Sequence, residues 1–209
     1  MEITWLGHSC FRLRGNNVTL LTDPFIEDVG FPFPSVSARV VTVSNDHPHH
    51  SNWVAVEGSP RVLRGPGEYE VGGVFINSLR TPAQGDQVPP NTAYLVEMDG
   101  LTLCHLGDVS QPLSARLVEE LGRAQVLFIP VGGHCTLPLA QVAEVITQLE
   151  PRLVIPMHFK VEGCAVDLEP VDAFLRELGI QEPSHQPRIS VTSSGLPREL
   201  QVIVPERAS

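Results

Sequence analysis

The chain has 209 residues, 42% of them apolar and 18% charged, enough to bury a core of its own in a single domain over 1–209 and too apolar for a disordered tail. Its 24 acidic against 14 basic residues give a net charge of −10. That field repels polyanions and argues against a nucleic-acid coat, and no apolar run reaches the roughly 18 residues that span a bilayer.

The N-terminal stretch Met1-Glu2-Ile3-Thr4-Trp5 lacks the basic-then-apolar pattern of a secretory signal, so a cytoplasmic location is expected. Short strands are predicted over 2–6, 10–13 and 18–21, the last two joined by Gly15-Asn16-Asn17, residues that tolerate positive φ. Further strands are predicted over 39–43, 61–63, 74–78, 92–97 and 101–105, with Asp99-Gly100 as a two-residue hairpin turn.

The second half changes rhythm. Leu113, Leu117 and Leu121 recur at helical spacing, predicting a helix over 112–121 with Ser110 as its cap and Gly122 as its stop. A strand over 126–131 leads to a helix over 137–149, whose stripe is Leu139, Val142, Ala143, Ile146 and Leu149. A strand over 152–156, a helix lined by Val171, Phe174, Leu175 and Leu178, a loop over 184–197 holding one short strand, and a strand over 200–204 complete the chain. Early strands followed by strand–helix alternation predict an α/β layered domain. The four cysteines, Cys10, Cys104, Cys135 and Cys164, form no C-x-x-C pair and read as reduced, mostly buried thiols.

The chemistry collects just past the C-terminal ends of predicted strands, where α/β proteins bind ligands. Three of the eight histidines fall in Ser44-Asn45-Asp46-His47-Pro48-His49-His50, after the run Val40–Val43. His105-Leu106-Gly107-Asp108, Gly132-Gly133-His134 and Met157-His158 follow three other strands. If those strands share one sheet edge, His47, His49, His50, Asp108, His134 and His158 converge. Imidazole and carboxylate in one pocket suit zinc, iron or manganese, and such a cation acidifies water and polarises carbonyl or phosphoryl groups.

Five ordered stretches carry a resemblance: Trp5-Leu6-Gly7-His8-Ser9-Cys10-Phe11, Leu21-Thr22-Asp23-Pro24-Phe25, Gly65-Pro66-Gly67-Glu68-Tyr69-Glu70, Leu106-Gly107-Asp108 and Ile155-Pro156-Met157-His158-Phe159. Together they resemble the metallo-β-lactamase superfamily, in the branch of ascorbate-6-phosphate lactonase and similar cytoplasmic hydrolases. The resemblance implies a four-layer αβ/βα sandwich with a metal site at one edge of its two sheets. It also implies hydrolysis of an ester, lactone or phosphodiester in a small-molecule substrate, and a homo-oligomer.

The chain departs from the family's H-x-H-x-D-H signature. Asn45 stands where the first histidine belongs and His49 where the aspartate belongs. A further family histidine is missing from Thr81-Pro82-Ala83-Gln84. The first metal position keeps only His47 and a share of Asp108, whereas the second maps onto His49, His50, Asp108 and His158. One divalent metal, zinc with manganese or iron as alternatives, is therefore expected at the second position.

Four protein ligands would close a tetrahedral zinc. Either His49 stays off the metal and serves as general base beside Asp108, or the metal is five-coordinate. The signature's losses also allow a catalytically silent relative that keeps the scaffold for binding. Among the remaining residues, His8 and Asp23 are read either as orienting the ligand imidazoles or as structural, and Asn45 as a turn residue. His105 reads as a core histidine, His134 as touching substrate, His185 as solvated, and Glu68 and Glu70 as exposed loop carboxylates.

Overall fold

A computed structural model describes residues 1–82 and 90–208. The first half of the chain lays down β1 (Glu2–Gly7), β2 (Cys10–Arg14), β3 (Thr19–Thr22), β4 (Val40–Val43) and β5 (Arg61–Arg64). These join β13 (Ile189–Ser190) in a six-stranded sheet of order β13-β1-β2-β3-β4-β5. Period-2 alternation gives this sheet two apolar faces. Trp5, Phe11, Leu13, Leu20 and Val40 join the main core. Their neighbours Leu6, Cys10, Leu21, Val41 and Val43 pack on the other side against Phe25, Val29, Phe31 and Val36.

The second sheet holds β6 (Gly67–Val71), β7 (Val74–Arg80), β8 (Thr92–Met98), β9 (Leu101–His105), β10 (Val126–Pro130), β11 (Leu153–Met157), β12 (Ser184–Gln186) and β14 (Gln201–Pro205). Its order is β12-β14-β11-β10-β9-β8-β7-β6. β9, β10, β11 and β14 run parallel. Parallel neighbours need crossovers. Helices α1 (Ala115–Leu121) and α2 (Leu139–Leu149) supply the first two, and α3 (Val171–Glu177) follows β11. α2 touches both other helices. The buried stripe of α2 is Val142, Val145, Ile146 and Leu149.

The layers are those expected of an αβ/βα sandwich, with one difference. Over the first sheet, the outer layer among the described residues is irregular chain with two 3-10 turns, Glu27–Val29 and Trp53–Ala55. Apolar residues spaced by Gly30, Pro32 and Pro34 bury that face without a helix. β6 was not expected; Gly67-Glu68-Tyr69-Glu70-Val71 offers only two apolar residues, too short a pattern to read. Glu68 and Glu70 are exposed as anticipated, but on this edge strand. α1 begins three residues later than predicted. Ser114, not Ser110, caps it, because its hydroxyl accepts the Leu117 N–H at 3.3 Å. The loop expected over 184–197 contains two short strands, β12 and β13. No helix among the described residues is long and apolar enough to cross a membrane.

Hydrogen bonds stitch the two sheets together at one end. The Thr92 N–H donates to the Ser44 carbonyl at 2.8 Å, and the His158 N–H to the His8 carbonyl at 3.0 Å. The Tyr94 hydroxyl donates to the Val43 carbonyl, and His105 Nε2 meets the Ser9 carbonyl at 2.9 Å. His105 is thus a core histidine, as read from its place on the strand.

Candidate metal centre

That stitched end is where β1, β3, β4, β9 and β11 release their C-terminal residues. His8 follows β1, Asp23 follows β3, Asn45–His50 follow β4, Asp108 lies beyond β9, and His158 follows β11. A register shift between Trp5 and Gly7 turns the end of β1 before His8. His8, Asp23 and His158 all have positive φ, at 53°, 39° and 54°. Such strain costs about 1–3 kcal/mol per residue and collects at functional sites.

His50 is buried at the centre. Its Nδ1 lies 2.9 Å from Asp23 Oδ2, and its Nε2 lies 2.8 Å from Asp108 Oδ2. Asp23 is itself fixed, accepting the Ser44 N–H at 2.7 Å and the Ser44 hydroxyl. Asp108 is set by Asn91, whose Oδ1 accepts the Asp108 N–H at 2.9 Å while its Nδ2 donates to the Thr81 hydroxyl and the Leu106 carbonyl. Gly107 leads into this turn with φ 58°, and a Cβ there would stand 2.4 Å from both Asn91 Oδ1 and Ser44 Cβ. Asn45 serves two ends. Its Oδ1 accepts the His47 N–H at 2.9 Å, the turn role expected of it, and its Nδ2 reaches Asp108 Oδ2 at 3.4 Å.

His158 Nε2 lies 3.4 Å from Asp108 Oδ1, yet among the described residues that oxygen accepts no hydrogen bond and His158 Nδ1 has no hydrogen-bond partner. Both ring nitrogens of buried His8 are also without hydrogen-bond partners among the described residues. Its ring centroid lies 4.1 Å from that of His158 and 4.9 Å from that of His50. One nitrogen from each of His8, His50 and His158 falls within 4.8 Å of the others.

The electrostatics suit a cation. Burial alone would raise the Asp108 carboxyl, but the His50 and His158 charges hold it well below the usual carboxylate range. Burial pushes His50 down, and Asp108 and Asp23 outweigh it, raising its pKa to about 10. Burial, helped by neighbouring imidazoles, holds His8 and His158 below 6.5. Bare buried nitrogens around a carboxylate suit a divalent transition metal, and unpaired buried polar atoms in native proteins call for an explanation.

Not every candidate joins this cluster. His50, Asp108 and His158 meet as expected. His49 and His47 line the adjoining cleft of 170 Å³ with Asn45, Cys135 and Val166. His49 Nε2 faces Asp28 Oδ1 at 3.3 Å, and His47 is exposed. Neither belongs to the group of donors within 4.8 Å. His134 is outside the cleft lining. Its ring is exposed, and its nitrogens stand 3.7 Å from Asp167 and 3.8 Å from Glu169. Gly132 makes the close approach instead, since a Cβ there would meet the His158 carbonyl oxygen at 2.1 Å. His185 is exposed. Of the cysteines, Cys10 and Cys104 are buried, Cys164 is partly covered and Cys135 is exposed, and all are unpaired. The Thr81-Pro82-Ala83-Gln84 stretch is described only to Pro82; Ala83 and Gln84 lie outside the described residues.

Asp28 was not legible as a site residue, because only the fold of the irregular layer brings it to His49. His8 had a signal, a histidine after a strand-ending glycine, but nothing in the spacing showed that its ring meets two others.

Comparison with known proteins shows the family to which the fold belongs. Residues 2–158 match the family model described as the beta-lactamase superfamily domain. A provisionally assigned Zn-dependent hydrolase of the metallo-beta-lactamase superfamily from Thermotoga maritima is 36% identical, with a TM-score of 0.82 and 97% of each chain covered. A UPF0173 metal-dependent hydrolase of Methanoculleus marisnigri is 29% identical, covering 76% of this chain and 81% of its own. Another from Archaeoglobus fulgidus is also 29% identical, covering 76% and 83%. The chain belongs to the beta-lactamase superfamily.

Proposed function

We propose that this protein is a metal-dependent hydrolase of a small-molecule ester, lactone or phosphodiester, with one divalent cation, zinc in the first instance. The observation that carries the reading is the meeting of His50, Asp108 and His158 from three separate strand ends, with Asp108 Oδ1 and His158 Nδ1 left unpaired. These three would hold the cation. A single position is favoured because Asn45 stands in the place of an imidazole and His47 is exposed and outside the cluster of buried donors. The similarly folded relatives described as metal-dependent hydrolases support the activity class.

The chain's own residues supply the rest. A divalent cation held by these residues would supply Lewis acidity toward water and the scissile carbonyl or phosphoryl group. Asp23 fixes which His50 nitrogen faces the cleft by holding the other. His49 takes the proton from the attacking water. Burial and the neighbouring His47 hold its pKa below 6.5, so its imidazole is neutral and basic at pH 7, and Asp28 orients the ring. The 170 Å³ cleft limits the substrate to a compact molecule or to one end of a larger one. Four unpaired cysteines favour a reducing, cytoplasmic setting.

The test is metal content after purification without chelators, followed by hydrolysis of aryl esters, lactones and bis-aryl phosphodiesters. Near-stoichiometric metal with turnover of one class is expected. Absence of bound metal under all conditions would leave the second reading, a catalytically silent scaffold, which the substitution at Asn45 favours.

A further inference from the structure

We propose that His8 is itself a metal ligand, supplying from the end of β1 an imidazole to the position of His50, Asp108 and His158, where His49 is turned away toward Asp28; this rests on the metal-site reading above. The sequence left His8 two roles, orienting a ligand imidazole or bracing the sheet edge, and the structure gives its ring neither. An orienting residue hydrogen-bonds the outer nitrogen of a ligand. The outer nitrogen of His50 is already held by Asp23 at 2.9 Å, and neither nitrogen of His8 has a hydrogen-bond partner. Bracing is done by the His8 backbone, whose carbonyl accepts from Trp5 Nε1 at 2.9 Å and from the His158 N–H at 3.0 Å.

The ring is thereby free for chemistry, and its place is fixed. Those two hydrogen bonds, together with the φ of 53°, hold the ring among those of His50 and His158. His49, which stands at the signature's aspartate, is not needed as a ligand and keeps its Nε2 toward Asp28. The protein donors become His8, His50, His158 and Asp108.

The probe is cobalt(II), titrated into metal-stripped full-length protein and followed by visible absorption and calorimetry. Wild type is expected to bind one cobalt per chain. His8→Asn, which tolerates the left-handed backbone, is expected to weaken binding by more than ~100-fold, beyond the roughly 10–100-fold that loss of an orienting partner costs. His47→Gln is expected to bind as wild type does. A loss of 100-fold or less in His8→Asn marks a positioning residue and overturns the assignment. If that variant does not fold, X-ray absorption fine structure of the zinc-loaded His49→Gln protein decides, because three imidazoles there support the proposal and two overturn it. Failure of the wild type to take up cobalt or zinc overturns the metal-site reading itself, and the ligand assignment with it.

Discussion

At the scale of single residues, the site is organised by pairs in which a carboxylate fixes an imidazole, buried at Asp23 and exposed at Asp28. Asp23 holds His50, so Asp23→Asn leaves the ligand in place but frees its ring. Metal affinity is expected to fall about 10–100-fold, measured by competition with a chromophoric chelator. A variant that binds as tightly as wild type would show that Asp23 only braces the sheet. Asp28 and His49 form the second pair, at the mouth of the cleft. His49→Gln is expected to lower kcat by about 10²–10⁴-fold, the usual contribution of a general base, with metal content unchanged. Loss of metal from that variant would place His49 among the ligands.

At the scale of elements, two glycines let strand ends approach each other. Gly107→Ala would place a methyl 2.4 Å from Asn91 Oδ1 and Ser44 Cβ, in a backbone with φ 58°. Left-handed backbone costs about 1–2 kcal/mol and overpacking about 1–3 kcal/mol. A fall of about 4–20 °C in Tm follows, at roughly 2–4 °C per kcal/mol for a chain of this size, with weakened metal binding because Asp108 moves. Gly179→Ala is the comparison. It too has positive φ, at 69°, but a Cβ there meets nothing within 4 Å, so it is expected to cost only the backbone term and to leave metal binding intact.

The elements also show what sequence could convey. Strand ends bearing His50, Asp108 and His158 were legible because the buried runs Val40–Val43, Leu101–His105 and Leu153–Met157 announce themselves by composition, and residues shortly past such runs lie at the sheet edge. The α/β layering followed from the same runs and from the helical stripe of α2. What escaped was set by tertiary contact. The side-by-side rings of His8 and His158 depend on how two sheets meet, and the Asp28–His49 pair on a long irregular segment. His134 shows how a glycine signal can belong to the backbone. Two preceding glycines suggested that its side chain approaches ligand, whereas Gly132 serves the His158 backbone and the His134 ring faces Asp167 and Glu169.

At the scale of the whole molecule, the buried histidines oppose one another in their effect on stability. His8, His105 and His158 have folded pKa values below 6.5 because burial disfavours their charge. Below pH 6.5 the unfolded chain takes up protons that the folded chain refuses, so stability falls as pH drops. His50 has the opposite sign. Its folded value of about 10 gives a contribution fully present below 6.5 and lost as pH rises toward 10. Metal-free protein is therefore expected to be most stable near pH 6.5, with lower urea midpoints at pH 5 and pH 9. A midpoint that climbs steadily to pH 9 would contradict the His50 pairing.

The bonds joining the two sheets at the histidine end have a mechanical corollary. Because His8 and His50 hang from one sheet and Asp108 and His158 from the other, a cation held among them acts as a rivet through both halves of the molecule. Breathing of the sandwich would have to pull that rivet, so the backbone amide of His158, bonded across the seam to the His8 carbonyl, is expected to exchange its hydrogen far more slowly once metal is bound.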